Sequence, residues 1–258
     1  MADVIRLAKP GAAAPRGGFV MTESAKDMLR SLNKVAEDTF GAITLIAASP
    51  GTGKSMTLMH FKNSEPKALL MTAVAGEDDT PWGMACQLME RLNLGRPNNR
   101  DMRGSRQMIA EAIGIDRVLI IDEAQNLIRQ NARGANNWES LEWLRALAED
   151  GGFALAFSGD LSLLETAQRA PGLWRRMQRR VIIKGVSRND VAAVADAYGI
   201  TDDAIAEALF HLARRGGGLA DVAGVIAHAT RFAGGQQPGR AQVLAALEDL
   251  NLGGREGK

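Results

Sequence analysis

The chain has 258 residues, of which 46% are hydrophobic and 24% are charged, and its formal net charge is +1. This composition is typical of a globular protein with a sizeable core, and the near-zero charge means that a nucleic-acid surface must come from local clusters of basic residues. A single cysteine, Cys86, excludes a disulfide framework within the chain. The apolar runs are too short to span a membrane, and residues 1–18 lack the apolar centre of a secretory signal. We therefore expect a cytoplasmic protein with no membrane partner.

Residues 1–20 are rich in Ala, Gly and Pro and are predicted to form a flexible N-terminal arm. A helical spacing of apolar residues follows behind Thr22, which is a suitable capping residue. Further along, five short apolar runs alternate with segments of helical length. These runs are residues 42–48, 67–73, 117–122, 153–159 and 180–186. They predict an α/β fold with three layers, in which a five-stranded parallel sheet is covered by helices on both faces.

Beyond residue 186 the strand patterns end, and apolar residues recur at helical spacing. The three stripes are Ile205, Leu209 and Leu212; Leu219, Val222 and Ile226; and Val243, Leu244, Leu247 and Leu250. They predict a small helical domain over residues 187–252, after an α/β domain over residues 21–186. The Gly-rich tail, residues 253–258, is expected to be flexible.

A Gly-rich stretch, ASPGTGKS at residues 48–55, lies between the first apolar run and a helical segment. It departs from the phosphate-loop pattern GxxxxGK[ST] only at Ala48, a position that closes the strand. The glycines let the main chain approach phosphates, Lys54 would reach the β- and γ-phosphates, and the Ser55 hydroxyl would bind Mg²⁺. We therefore expect ATP and Mg²⁺ as cofactors. The expected nucleotide-binding loop consists of Ala48, Ser49, Pro50, Gly51, Thr52, Gly53, Lys54, Ser55 and Met56.

A second motif, VLIIDEAQ at residues 118–125, is an apolar strand that ends in two acids. Asp122 would hold Mg²⁺ through water, and Glu123 would polarise the attacking water as the general base. Ser158, near the end of the fourth apolar run, could sense the γ-phosphate, although an ordinary strand-end turn explains it equally well. With Lys54, these residues predict a site for ATP hydrolysis.

Residues 169–190 carry seven basic residues and one acid, whereas residues 139–165 carry six acids and one base. Opposite patches on one domain favour head-to-tail association, which closes into a ring or continues as a helical filament. Arg176, with Arg179 as the second choice, could then act as an arginine finger in the nucleotide site of the next subunit. A solvated basic face and contacts with DNA are the alternatives for this segment.

Two further segments are rich in arginine and poor in acids. Their arginines are Arg96, Arg100, Arg103 and Arg106 in the first segment, and Arg129 and Arg133 in the second. Such side chains could contact the phosphates of double-stranded DNA without reading its bases. Each segment alone is also typical of an exposed polar loop. Aromatic residues make up only 5% of the chain and do not alternate with these arginines, which argues against stacking on single strands.

The order of these features resembles that of the AAA+ ATPases: a phosphate loop, a strand ending in D-E, a polar strand end, arginines before the fifth strand, and a helical lid. The resemblance implies a P-loop NTPase sheet with strand order 5-1-4-3-2 and a lid over residues 187–252. The stretches FVMTESA, SPGTGKS and DEAQ look like the B target-capture proteins of Mu-like transposing phages and their TniB-like relatives. Secretion-associated ATPases of the ExeA type share much of this pattern.

The resemblance to the B proteins implies an ATPase that oligomerises on double-stranded DNA without sequence specificity and delivers this DNA to a transposase. If the protein is encoded by a phage, it implies a location in the cytoplasm of the bacterial host. The alternative is a protein-remodelling or assembly ATPase, as in secretion or helicase loading, which acts on a protein partner. The lid stretch GGGLADV, residues 216–222, has Ala220 and Asp221 where many relatives have a sensing arginine. This departure is the reason to expect slow hydrolysis that DNA or a partner stimulates.

Overall fold

The computed structural model of the chain describes residues 18–38, 41–130 and 136–252. Most of the predicted arm, residues 1–20, and all of the predicted tail, residues 253–258, lie outside these ranges. The domain bounds drawn from the sequence, 21–186 and 187–252, stay a prediction.

Strands and helices alternate along the described chain. The strands are β1 (Ile43–Ala48), β2 (Ala68–Thr72), β3 (Val118–Asp122), β4 (Arg129–Gln130), β5 (Asn136–Asn137), β6 (Ala154–Gly159) and β7 (Met177–Ile183). The helices are α1 (Glu23–Glu37), α2 (Lys54–Ser64), α3 (Pro81–Arg91), α4 (Met102–Ile113), α5 (Glu139–Gly151), α6 (Leu161–Arg169), α7 (Pro171–Arg176), α8 (Arg188–Ala197), α9 (Asp203–Arg215), α10 (Leu219–Phe232) and α11 (Arg240–Asp249). A short 3₁₀ turn, Ala124–Leu127, follows β3.

The main sheet has five strands in the order β2-β3-β6-β1-β7, and all of its neighbouring strands are parallel. When these five strands alone are numbered along the chain, the order is the expected 5-1-4-3-2. The two short strands β4 and β5 form a separate antiparallel pair. The predicted α/β fold with a five-stranded parallel sheet and a helical C-terminal part is therefore confirmed.

Both faces of the central strands are buried, which explains why their sequences are continuous apolar runs. Every residue of β1, β3 and β6 is buried. Along β3, Leu119 and Ile121 pack into one core with residues of α3, α4 and α5, whereas Val118 and Ile120 pack into another with residues of α1 and α2. This alternation of faces follows from the two-residue period of a strand and produces the three layers.

The position of the last strand differs from the sequence prediction. An apolar run predicted a strand over residues 180–186, but β7 spans Met177–Ile183. The prediction was wrong because β7 lies at the edge of the sheet, where buried and exposed residues alternate instead of forming one apolar run. Arg179 and Arg180 therefore lie within the strand, while Arg176 ends α7, immediately before it.

The described chain divides into two compact units. One comprises Asp27–Ser49 and Lys54–Lys184 and contains the main sheet. Of the described residues, the other unit comprises 18–26, 50–53 and 185–252. In the second unit, α8 to α11 pack around a core of their own, which includes Val191, Leu209, Val222, Ile226 and Val243.

A buried carboxylate, Asp190, lies at the start of both α1 and α8 in the second unit. It accepts hydrogen bonds from the backbone nitrogen of Ser24 at 3.0 Å and from its hydroxyl at 2.7 Å. It also forms a capping box with Ser187 at the start of α8. Burial raises the pKa of Asp190, but the hydrogen bonds from Ser24 and Ser187 outweigh that effect, so its pKa lies below the ordinary value of 3.8.

We expect Asp190→Asn to lower the free energy of unfolding at pH 7 by about 2 kcal/mol, because the charge that strengthens these hydrogen bonds is lost. Since folding lowers this pKa, the stabilisation is present above about pH 4 and disappears as the pH falls through the folded-state value. Denaturant unfolding between pH 7 and pH 3.5 measures the difference, which should shrink in acid. Asp196→Asn, at an exposed position of the same helix, is the control. Equal stability of the two variants at pH 7 contradicts this account.

Candidate active site

The predicted site residues Lys54, Asp122 and Ser158 come from, or directly follow, three neighbouring strands of the sheet. Asp122 ends β3, Ser158 is the penultimate residue of β6, and Lys54 begins α2 after the loop that follows β1. These strands are adjacent in the order β3-β6-β1. Because parallel strands all end at the same edge, the sheet brings these side chains together at its carboxyl edge, where α/β proteins bind ligands.

The side chains form one hydrogen-bonded cluster. The Nζ atom of Lys54 lies 2.5 Å from Oδ1 of Asp122 and 2.8 Å from Oε1 of Glu123. The hydroxyl of Ser55 donates to Oδ2 of Asp122 at 3.1 Å, and that of Ser158 donates to Oδ1 at 3.1 Å. The backbone nitrogen of Glu123 also donates to Oδ1 of Asp122, at 2.9 Å. Five of the residues predicted from sequence thus lie in direct contact.

Two opposing effects act on the pKa of Lys54. Burial of the ammonium lowers it, but the hydrogen bonds and negative charges of Asp122 and Glu123 raise it more, so the pKa lies above the ordinary value of 10.5. Lys54 therefore stays positively charged at physiological pH. An anion that enters the loop, such as a triphosphate, would compete with both carboxylates for this ammonium.

The loop between β1 and α2 has the backbone that its glycines predict. Gly51 and Gly53 have φ angles of +76° and +84°, a backbone conformation that residues other than glycine rarely adopt. Ala48, the one departure from the phosphate-loop pattern, is the last residue of β1, is buried, and pairs with Ile183 of β7. Its methyl group therefore belongs to the sheet, which explains how the motif tolerates it.

Gly51 also makes a close backbone contact with the turn that precedes α10, in the same unit. The backbone nitrogen of Leu219 donates to the Gly51 carbonyl at 2.7 Å. A Cβ atom at Gly51 would lie 2.5 Å from the Gly217 carbonyl oxygen. The stretch GGGLADV therefore contacts the phosphate loop through its backbone, while Asp221 accepts a hydrogen bond from the backbone nitrogen of Gly217 at 3.0 Å.

The oxygen atoms of the cluster suit a magnesium ion. The Ser55 hydroxyl and the Asp122 carboxylate lie side by side, and Mg²⁺ prefers oxygen ligands such as these. Residues 18–38, 41–130 and 136–252 contain no group of three or more His, Cys, Asp or Glu side chains that could hold a metal. Where one carboxylate and a nucleotide share Mg²⁺, the ion usually takes its other ligands from phosphates and water.

Gln125 is part of the site, although the sequence did not identify it as a functional residue. Its Nε2 donates to Oε2 of Glu123 at 2.5 Å, and its Oε1 accepts from the backbone nitrogen of Asp160 at 3.1 Å. Glu123 itself has a φ angle of +53°, which is uncommon for a residue with a side chain. The available signal was the position of Gln125 in the DEAQ stretch, two residues after the acid.

The predicted arginines make their contacts outside this cluster. Arg176 pairs with Glu149 at 2.5 Å, Arg179 with Asp27, Arg106 with Asp150 at 2.7 Å, and Arg129 with Asp79 at 3.8 Å. Arg96, Arg100 and Arg103 are exposed and form no ion pair with another described residue. Arg133 lies outside the described residues.

Comparison with known families agrees with this geometry. The AAA domain model matches residues 39–166, and the model of the Mu B transposition protein, C terminal, matches residues 175–250. The chain thus contains a region that matches the AAA domain and resembles the Mu B transposition proteins. The AAA match covers the loop and the acidic strand end, and the Mu B match covers β7 and the four helices α8 to α11.

The individual relatives are distant in sequence. The Mu-like prophage FluMu DNA transposition protein B of Haemophilus influenzae is 22% identical over 78% of this chain and 69% of its own length. The ATP-dependent target DNA activator B of Escherichia phage Mu is 25% identical over 91% of this chain and 74% of its own length. Among solved structures, the Aeropyrum pernix ORC1 protein in complex with DNA has a TM-score of 0.60 at 12% identity, over 90% of this chain and 66% of that one, which supports the fold. In the described part of the chain, no helix is both long and apolar enough to cross a membrane.

We expect Lys54→Ala to weaken the binding of ATP by about 100-fold, because the variant loses a charge-assisted contact with phosphate. Titration with a fluorescent ATP analogue and Mg²⁺ measures the affinity, and circular dichroism checks the fold. Lys62→Ala, at an exposed position near the end of the same helix, is the matched control. ATP affinity in Lys54→Ala equal to that of the control would show that the loop does not bind the triphosphate.

Proposed function

We propose that this chain is an ATP-hydrolysing protein of DNA transposition, which binds double-stranded DNA without sequence specificity, assembles on it with ATP, and delivers it to a transposase. The observation that carries the proposal is the cluster of Lys54, Ser55, Asp122 and Glu123 at the carboxyl edge of the sheet. It occurs in a chain whose relatives are named as an ATP-dependent target DNA activator and a DNA transposition protein.

In this proposal, each residue of the cluster has a role in hydrolysis. Loop residues 48–56 would bind the triphosphate, and Ser55 and Asp122 would hold Mg²⁺, which would supply positive charge that neutralises the phosphates. Glu123 accepts a proton from the attacking water as the general base. Ser158 donates to Asp122 and thereby fixes the direction in which that carboxylate points.

The proposed DNA surface is formed by the basic segment before and at the start of α4. Arg96 and Arg100 lie in the loop that precedes α4, and Arg103 lies in its first turn; all three are exposed. Arg106 and Arg129 pair with nearby carboxylates, so in this proposal each contacts DNA only after it leaves its partner. A few phosphate contacts in each subunit would suffice because assembly on DNA multiplies them.

We expect the double variant Arg100→Ala with Arg103→Ala to lower the affinity for duplex DNA about tenfold at low salt in the presence of ATP, because two phosphate contacts are lost. For the same reason, the slope of log affinity against log salt concentration should become shallower by about two units. Fluorescence anisotropy with a labelled duplex over a range of salt concentrations measures both. Arg231→Ala with Arg240→Ala removes the same charge from exposed positions on α10 and α11. An equal loss in both double variants would assign the effect to net charge instead of this surface.

Electron microscopy of the protein with duplex DNA and a non-hydrolysable ATP analogue tests the assembly itself. A protein that stays monomeric with ATP and Mg²⁺ and retains no duplex at low salt contradicts the proposal. Capture of a secretion or helicase-loading protein, with no capture of a transposase, would favour the alternative of an assembly ATPase that acts on a protein partner.

In the assembly we propose, Arg176 completes the nucleotide site of the neighbouring subunit. Its side chain is half exposed and ends α7, and its partner Glu149 is 40% exposed, so the pair can separate at low cost. Arg179, the second choice, pairs with Asp27 of α1 from within a strand. That position makes Arg176 the better candidate for a contact with another subunit.

We expect Arg176→Ala to bind ATP normally but to hydrolyse it at least about tenfold more slowly in the assembled state, because charge on the transferred phosphate is not stabilised. Glu123→Gln should also assemble without turnover. An equal mixture of the two should regain activity, since about a quarter of the interfaces combine an intact base with an intact finger. Phosphate release of the mixture, compared with that of each variant, measures this. A mixture no more active than its components contradicts a finger supplied by the neighbour.

A further inference from the structure

Gln125 contacts the proposed catalytic carboxylate, and the roles assigned above leave it without a function. We propose that Gln125 is a positioning residue: it holds Glu123 in the orientation needed for hydrolysis and links it to the arginine-bearing hairpin β4–β5. This inference rests on the proposed function, because it concerns the base of that ATPase and its stimulation by DNA.

Both ends of the Gln125 amide are engaged, and this determines its orientation. The backbone nitrogen of Asp160 can only donate, so the atom that faces it must be the amide oxygen, Oε1. The NH₂ group then points at Oε2 of Glu123, at 2.5 Å. Gln125 therefore anchors the Glu123 carboxylate to the backbone at the end of β6.

The end of β6 is shaped to admit this side chain. Gly159, the last residue of β6, is buried, and a Cβ atom there would overlap Oε1 of Gln125. The φ angle of Gly159 is not in the left-handed region, so its backbone conformation does not demand a glycine. Position 159 must nevertheless be a glycine, because the Gln125 amide lies where a Cβ atom would be.

The two oxygens of Glu123 have different partners. Oε1 accepts from the Lys54 ammonium, and Oε2 accepts from Gln125. A phosphate bound at the loop would compete with Oε1 of Glu123 for the Lys54 ammonium. The same phosphate would compete much less for the Gln125 amide, because a neutral amide binds phosphate more weakly than a cation does. Gln125 would then still hold the carboxylate of Glu123 in its orientation while Lys54 binds the nucleotide.

The same residue is joined to the hairpin by a short, hydrogen-bonded path. Gln125 lies in the 3₁₀ turn Ala124–Leu127, and its carbonyl accepts from the backbone nitrogen of Ile128 at 3.1 Å. Arg129 comes next and begins β4, where it is exposed and 3.8 Å from Asp79. A DNA phosphate that draws Arg129 away from Asp79 would pull on this turn and thus on the amide that holds Glu123.

The test uses Gln125→Met, which keeps the size of the side chain but cannot hydrogen-bond, with Gln168→Met on the exposed face of α6 as the matched control. In the full chain we expect kcat with saturating duplex to fall at least about tenfold, with KM for ATP and duplex affinity within about twofold of wild type. The ratio of kcat with duplex to kcat without duplex should fall towards one. Wild-type kcat overturns the inference, and a lower kcat with unchanged stimulation overturns the link to the hairpin.

Gln125→Glu provides a second readout that a purely structural role would not produce. The new carboxyl group still accepts from Asp160, but when ionised it repels Glu123 instead of donating to it. When protonated it can donate again, so the optimum of kcat should move to lower pH than in wild type. An unshifted pH profile overturns the inference. A wild-type protein that hydrolyses ATP without any response to duplex contradicts the proposed function instead, and the kcat of both variants still tests the positioning of Glu123.

Discussion

The site depends on the ionic contact of Lys54 with two carboxylates at the edge of a parallel sheet. Asp122 is only 6% exposed, and a buried carboxylate is costly unless its oxygens are hydrogen-bonded. Here the ammonium, the hydroxyls of Ser55 and Ser158 and one backbone nitrogen supply the donors that water would otherwise provide. The same groups make the cluster responsive, because a phosphate that claims the ammonium changes the charge balance at both carboxylates at once.

The central part of this arrangement could be predicted because its determinants are local. A strand buried on both faces appears as an apolar run, a glycine-rich turn before Lys54 needs positive φ angles, and two acids after an apolar run mark a strand end. Adjacency of the strands then follows from the fold. Ser158 and Asp122 meet because β6 lies beside β3, so the sequence predicted their proximity once the strand order was inferred from family resemblance.

The remaining features depend on contacts between distant parts of the chain, which leave little local signal. The β7 strand was misplaced because an edge strand exposes alternate residues, so its first half contains arginines. Asp190 binds Ser24, 166 residues away, and nothing around either residue indicates the other. Gln125 could be seen in its motif, but its contacts depend on the backbone of Asp160 and on the space left by Gly159. Hydrogen-bond partners of this kind are set by tertiary packing.

The two oppositely charged segments of the sequence show what composition alone can and cannot predict. Residues 139–165 and 169–190 have opposite charge, which favours association between subunits, yet Glu149 of the first block pairs with Arg176 of the second within one chain. Exposed pairs contribute about 0–1 kcal/mol, so this contact does not prevent Arg176 from binding a phosphate group elsewhere. In the assembly proposed above, Arg176 would exchange this weak ion pair for a stronger contact with the neighbouring subunit. A transferred phosphate carries more charge than Glu149. In the proposed assembly, this exchange would therefore favour association only when nucleotide is bound, which would couple association to ATP.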